Sequence, residues 1–237
     1  MTMDDRVEQA AQAIVGRAEE RFQAHWMEIV SWTDRLFAKL MVGQWLFAIV
    51  IALVVSPYAW EGRVRTVHAH VWFAIFLGVA ISVFPIALAV RRAGWVVTRH
   101  VIAGAQMLWS ALLIHLTGGR IETHFHVFGS LAFLAFYLDW QVIITATIVV
   151  AADHFLRGIY WPESVYGVSN PEWWRFLEHA GWVAFEDVFL IWSCIFGRRE
   201  MATVAARQAA IEDLSEQEQL KSAALAMALA ELEGATA

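Results

Sequence analysis

Six apolar runs, at residues 40–58, 71–90, 101–116, 127–138, 142–150 (extending towards Phe155) and 182–196, leave this chain little choice but a lipid bilayer. About 20 helical residues cross a hydrocarbon core at ~1.5 Å per residue, so the first two runs are comfortable spans and the later ones are short. The third becomes long enough if it starts at Trp95. Of 237 residues 59% are hydrophobic and 17% charged, too apolar a mixture for a water-soluble domain, and the 13 Trp suit the headgroup levels of a membrane. The expected fold is therefore all-α: a polytopic transmembrane helix bundle of about six spans, with the lipid bilayer as its first partner. No cleavable signal peptide precedes the first run, which follows a charged segment containing Asp4, Asp5, Arg6, Arg17, Glu19, Glu20 and Arg21.

The fourth and fifth runs are divided by Asp139, Trp140 and Gln141 alone, so they form either a tight pair of short spans or a re-entrant hairpin. Either returns the chain to the side it came from. Orientation follows the Lys and Arg at span ends. With the N-terminus inside, Arg35, Lys39, Arg91, Arg92, Arg99, Arg198 and Arg199 face the cytoplasm, against Arg63, Arg65, Arg120, Arg157 and Arg175 outside. Both termini are expected to be cytoplasmic.

Three segments follow. Residues 1–36 are an amphipathic cytoplasmic leader helix, in which Val15, Phe22, Ile29 and Leu36 repeat every seven residues with Ala18, His25 and Trp32 between them. Residues 37–199 are the membrane domain. Residues 200–237 are a polar, proline-free cytoplasmic helix: Val204, Ile211, Leu225 and Leu232 share a heptad register, but Glu218 breaks it and Arg207 and Lys221 occupy the other seam. The net charge of −6 offers no basic footprint, so no nucleic-acid partner is expected, and the lone Cys194 allows neither an internal disulfide nor a cysteine zinc motif.

On this topology seven of the nine histidines reach the outer face. His68 and His70 open the second span, His115 closes the third, His124 and His126 open the fourth, His154 ends the fifth and His179 opens the sixth. His25 and His100 fall elsewhere. Carboxylates accompany the seven: Glu122, Asp153 and Glu178 lie beside them in sequence, and Glu186 with Asp187 sits about two turns deeper. Ionisable groups inside an apolar bundle are costly, and a functional partner is the default reading. Imidazoles and carboxylates ligate iron, copper or zinc, and a carboxylate on the far nitrogen of a ligating His fixes its tautomer. The expected metal ligands are His68, His70, His115, Glu122, His124, His126, Asp153, His154, Glu178, His179 and Glu186. His124 and His126 carry most weight, because alternate residues of an extended stretch after Gly118-Gly119 point to one side. Haem b is the alternative cofactor, ligated by His115 with His154 or His179. A proton pathway or pH sensor uses the same groups.

The run Gly118-Gly119-Arg120-Ile121-Glu122-Thr123-His124-Phe125-His126-Val127-Phe128-Gly129-Ser130, with Tyr137-Leu138-Asp139-Trp140, Asp153-His154-Phe155-Leu156-Arg157-Gly158, Glu178-His179-Ala180-Gly181-Trp182 and Glu186-Asp187, resembles a known membrane region. It is the integral input region that precedes the output modules of some bacterial chemotaxis receptors, histidine kinases and diguanylate cyclases. The resemblance covers roughly residues 35–205 and implies a sensor of the bacterial inner membrane, a homodimer, whose outer site biases a cytoplasmic helix. The chain ends at Ala237, without room for such an output module, so it is either a piece of a longer chain or signals to a separate cytoplasmic partner. No catalytic residues are expected. The rival from another class is a membrane metalloenzyme of the di-iron oxidase or hydroxylase kind, against which stands the absence of tight HxxHH clusters.

Overall fold

The computed structural model describes residues 3–236. Its elements are α1 (Met3–Val55), a hairpin of β1 (Tyr58–Glu61) and β2 (Val64–Val67), α2 (Ala69–Arg91), α3 (Val96–Leu116), α4 (Ile121–Leu134), a 3-10 turn (Ala135–Tyr137), α5 (Trp140–Tyr160), α6 (Glu163–Tyr166) and α7 (Arg175–Thr236). They form two compact units: Met27–Phe196, and a second in which residues up to Trp26 pack with those from Gly197 onward.

In the first unit α3 is the axis. Ile102, Met107, Trp109 and Ile114 are fully buried along it, and it packs against α2, α4 and α5. Large apolar side chains such as Phe76, Val83, Phe84, Ile148 and Val188 point outward, as a lipid solvent permits. Among the described residues five helical stretches are long and apolar enough to cross a membrane: Ala11–Val55, Ala69–Arg91, Val96–Leu116, Trp140–Tyr160 and Arg175–Glu233. The fourth apolar run is shorter, giving the 14 residues of α4, about 21 Å of helix.

That short helix nevertheless runs nearly the height of α3. Near its start the hydroxyls of Thr117 and Thr123 meet at 2.9 Å, midway Ser110 faces His126, and beyond its end Asp139 Oδ2 meets Arg99 Nε at 2.8 Å beside the first turn of α3. The reversal is local: Leu138 adopts a left-handed φ of 51°, and Asp139 then caps α5 by accepting the Gln141 amide at 3.2 Å.

Two polar groups of side chains inside this unit are closed on one another, as a medium without hydrogen-bonding partners favours. Gln44 and Gln106 exchange amide bonds at 2.9 and 3.1 Å. Asp34, wholly buried, accepts the Tyr137 hydroxyl and the Gly94 amide at 2.7 Å each, tying α1 to the α2–α3 turn and to the end of α4.

In the second unit Phe22, Ala205 and Ala209 are buried, Arg17 pairs with Asp213 at 2.6 Å and Glu216 at 3.1 Å, and Arg21 pairs with Glu212. The Arg198 guanidinium lies 4.2 Å from the Trp26 ring centre. The heptad positions Val15, Val204, Ile211, Leu225 and Leu232 remain exposed.

Removing one partner of a buried ion pair strands the other charge. Arg99→Ala is therefore expected to cost about 3–5 kcal/mol in denaturation of the detergent-solubilised chain. A joint Arg99→Met, Asp139→Leu replacement is expected to recover most of that loss; a double variant no better than Arg99→Ala would show that the pair is not the source.

Candidate functional site

The histidine end of the first unit is built from helix termini: the start of α2, the end of α3, the start of α4, the end of α5, then α6 and the start of α7. The α3–α4 reversal at Gly118 (φ 70°) and Gly119 (φ 75°) packs so closely on the segment after α6 that a Cβ on Gly119 would lie 2.3 Å from the Gly167 amide nitrogen. Only a residue without a side chain fits there.

Three imidazoles from three helices converge under this turn. The rings of His124 and His179 are 5.2 Å apart, those of His124 and His154 5.5 Å, and those of His154 and His179 6.0 Å. Nδ1 of His124 donates to the Arg120 carbonyl at 2.9 Å and Nδ1 of His179 to the Arg175 carbonyl at 3.0 Å. A carbonyl can only accept, so both protons sit on Nδ1 and both Nε2 atoms carry lone pairs. Nδ1 of His154 lies 3.2 Å from Asp153 Oδ2, a close contact outside hydrogen-bond geometry. Asp153 is itself gripped by Arg157 through two bonds of 2.8 and 2.6 Å. The buried Nε2 of His124 has no hydrogen-bond partner among the described residues.

The three rings border a cavity of about 80 Å³, walled by Val127, Phe128, Val150 and Phe176, with Thr147 deeper in. Thr147 donates to Asp187 Oδ2 at 2.6 Å. Asp187 Oδ1 and the neighbouring Glu186 Oε2 are buried with no hydrogen-bond partner among the described residues. Tyr166 of α6 closes on His179 at 5.4 Å, and burial holds its phenol above the ordinary value.

A second group lies apart. His68 caps α2, its Nδ1 accepting the His70 amide at 3.1 Å, while Nδ1 of His70 lies 2.8 Å from the Ser56 hydroxyl. The His70 ring is 4.2 Å from that of His68 and 4.9 Å from that of His115, which in turn meets Trp161 at 4.8 Å.

The expected ligand set is thus divided. His124 and His126 do not share a side: residues 121–134 are helical, not extended, and residues two apart on a helix point about 200° apart. His126 turns into the bundle, where Ser110 Oγ lies 2.8 Å from its Nδ1 and Gln44 Nε2 3.0 Å from its Nε2. The haem pairing is not assembled either, because the ring neighbours of His115 are His70, Phe73 and Trp161, and an 80 Å³ cavity is far smaller than a porphyrin. Glu122 and Glu178 are exposed. His100 lies elsewhere, its Nδ1 2.8 Å from the Thr145 hydroxyl. Among the described residues no three or more His, Cys, Asp or Glu side chains stand, as placed, in an arrangement that could hold a metal ion. Sequence reasoning passed over Gln44 and Gln106, although an isolated amide in an apolar run is the signal for such a bond.

No family model matches the chain, and no solved structure matches it. Over 69 residues it is 35% identical to the transducer protein Htr8 of Halobacterium salinarum (strain ATCC 29341 / DSM 671 / R1), a stretch that covers 27% of this chain and 11% of that protein. This partial likeness points to a transducer relationship and fits a signalling role.

At Gly119 positive φ and steric contact act together. Gly119→Ala is expected to lower the melting temperature of the solubilised chain, at a cost of about 1–3 kcal/mol. Gly129→Ala, in open space on α4, is expected to leave it unchanged or slightly raised. Equal effects of the two would remove the packing argument for this turn.

Proposed function

We propose that the chain is the sensory membrane part of a signal transducer, and that a transition metal, iron, copper or zinc, seats on Nε2 of His124, His154 and His179. The supporting observation is one of geometry and tautomer: three rings 5.2–6.0 Å apart, two with Nδ1 committed to carbonyls and one facing a carboxylate. Imidazoles bound through Nε2 at about 2.0–2.1 Å to a tetrahedral ion place their ring centres about 5 Å apart, so small side-chain rotations close this set around an ion. Asp153 and the two carbonyls are the outer partners that hold ligating rings in orientation.

In this reading α4 crosses the membrane in company with α3, both termini are cytoplasmic, the membrane is the bacterial inner membrane and the working unit is a homodimer. A metal held by these residues would supply a site for a small ligand reaching it through the apolar cavity walled by Val127, Phe128, Val150 and Phe176. His179 stands in the second turn of α7, so drawing the rings together or apart bears directly on α7, the helix that continues beyond Phe196 towards a cytoplasmic partner. A signal requires that the ligand bind two packings of the bundle with different affinity, at about 1.4 kcal/mol per tenfold difference.

Elemental analysis of the purified full chain tests this. Wild type is expected to hold one transition metal per chain without a Soret band, and His124→Ala, His154→Ala or His179→Ala to abolish it. Asp153→Asn is expected to weaken binding about 10–100-fold. His126→Ala and His68→Ala should keep full stoichiometry. Metal retained in a His124→Ala, His154→Ala double variant would overturn the assignment.

A further inference from the structure

On the face formed by α2, α3 and α5 lies a second, larger cavity, about 370 Å³, that the metal reading does not use. Its walls are Phe73, Leu77, Leu108 and Leu112 from the apolar runs of α2 and α3. Leu77 and Leu108 are 46% and 45% exposed on the flank of these helices, so the groove opens sideways to the lipid. Its volume lies in the range of about 300–1,000 Å³ typical of small-molecule sites. Polar groups gather at one end alone: His115, Trp161, Asp153 and Arg157.

The chemistry of that end selects the occupant. Arg157 commits Nε and Nη2 to Asp153 and Nη1 to Ser164, so its charge is matched by the carboxylate it grips. An anionic phosphate would find no unmatched cation. His115 and Trp161 differ: among the described residues neither ring makes a hydrogen bond, and their rings meet at 4.8 Å, 64° apart, at the mouth of the apolar walls. An indole N–H can only donate, and an imidazole always has one N–H to give. The end therefore offers two neutral donors beside three aromatic faces, those of His115, Trp161 and Phe73.

We propose that this groove binds a quinone dissolved in the bilayer, a planar neutral head with two carbonyl acceptors on an apolar tail. The head lies against His115 and Trp161 with one carbonyl accepting from each, and the tail follows Leu112, Leu108 and Leu77 into the lipid. The head stays beside the Asp153–Arg157 pair without drawing on its charge. No electron transfer is part of the proposal, and it does not depend on the metal.

The test is equilibrium binding of labelled decylubiquinone to the full chain in phosphatidylcholine nanodiscs, counted in excess over empty nanodiscs. Expected are one saturable equivalent per chain, an affinity at least tenfold weaker in His115→Phe and in Trp161→Phe, and loss of binding in Leu108→Trp, which fills the groove from its lipid side without touching the polar end. Metal content is measured on the same samples and is expected to be unchanged. Binding no greater than to empty nanodiscs overturns the proposal, as does binding indifferent to both His115→Phe and Leu108→Trp. Stoichiometric displacement by phosphatidylglycerol assigns the groove to a phospholipid instead, and loss of the groove on chemical cross-linking into dimers assigns it to a second copy.

Discussion

A bilayer interior offers no hydrogen-bonding partner, so each polar side chain of the helical unit must be answered from within. The unit meets this demand differently at its two ends. At the α2–α3 turn the buried charges are paired: Asp34 takes Tyr137 and Gly94, and Arg99 forms an ion pair with Asp139. In the middle, Gln44, Gln106, His126 and Ser110 form a connected chain of hydrogen bonds. At the histidine end the closure stops. Nε2 of His124, Oε2 of Glu186 and Oδ1 of Asp187 are buried without partners among the described residues. Open valences in a medium that punishes them set this end apart from the scaffold.

Much of this was legible in the sequence. Hydropathy places most of the helices, and of the histidines expected together His154 and His179 meet, whereas His115 meets His70 and Trp161. Helical phase was not legible. A glycine pair followed by two alternate histidines reads as an extended entry, but the helix begins at Ile121 and splits His124 from His126. Nor does hydropathy mark the 58–67 hairpin, whose residues are mostly exposed and whose register turns on Gly62 at φ 60°. The charged leader and tail read as two separate helices, whereas Arg17 with Asp213 and Arg21 with Glu212 join stretches nearly two hundred residues apart, a contact that no local periodicity encodes.

The contrast between His124 and His126 shows what separates a structural imidazole from an available one. Ser110 donates to the Gln106 carbonyl at 3.1 Å, so Nδ1 of His126 is the donor to Ser110, and its Nε2 accepts the second amide hydrogen of Gln44. Both histidines thus hold the Nδ1–H tautomer. In His126 the remaining lone pair is spent inside the protein, and in His124 it is not.

Asp153 connects the two open regions. One of its oxygens faces Nδ1 of His154 in the three-ring group, and the pair of them is forked by Arg157, which borders the groove beside His115. A carboxylate shared in this way is a reciprocal link: whatever displaces Arg157 changes the negative charge felt by His154, and whatever withdraws electron density through Nε2 of His154 changes the hold of Asp153 on Arg157. The strength of that link is set by how far Ser164 pins Arg157, since a guanidinium held at both ends transmits a shift from one partner instead of absorbing it. Occupants of the two proposed sites, one polar and central, one apolar and lateral, would both border a single side chain.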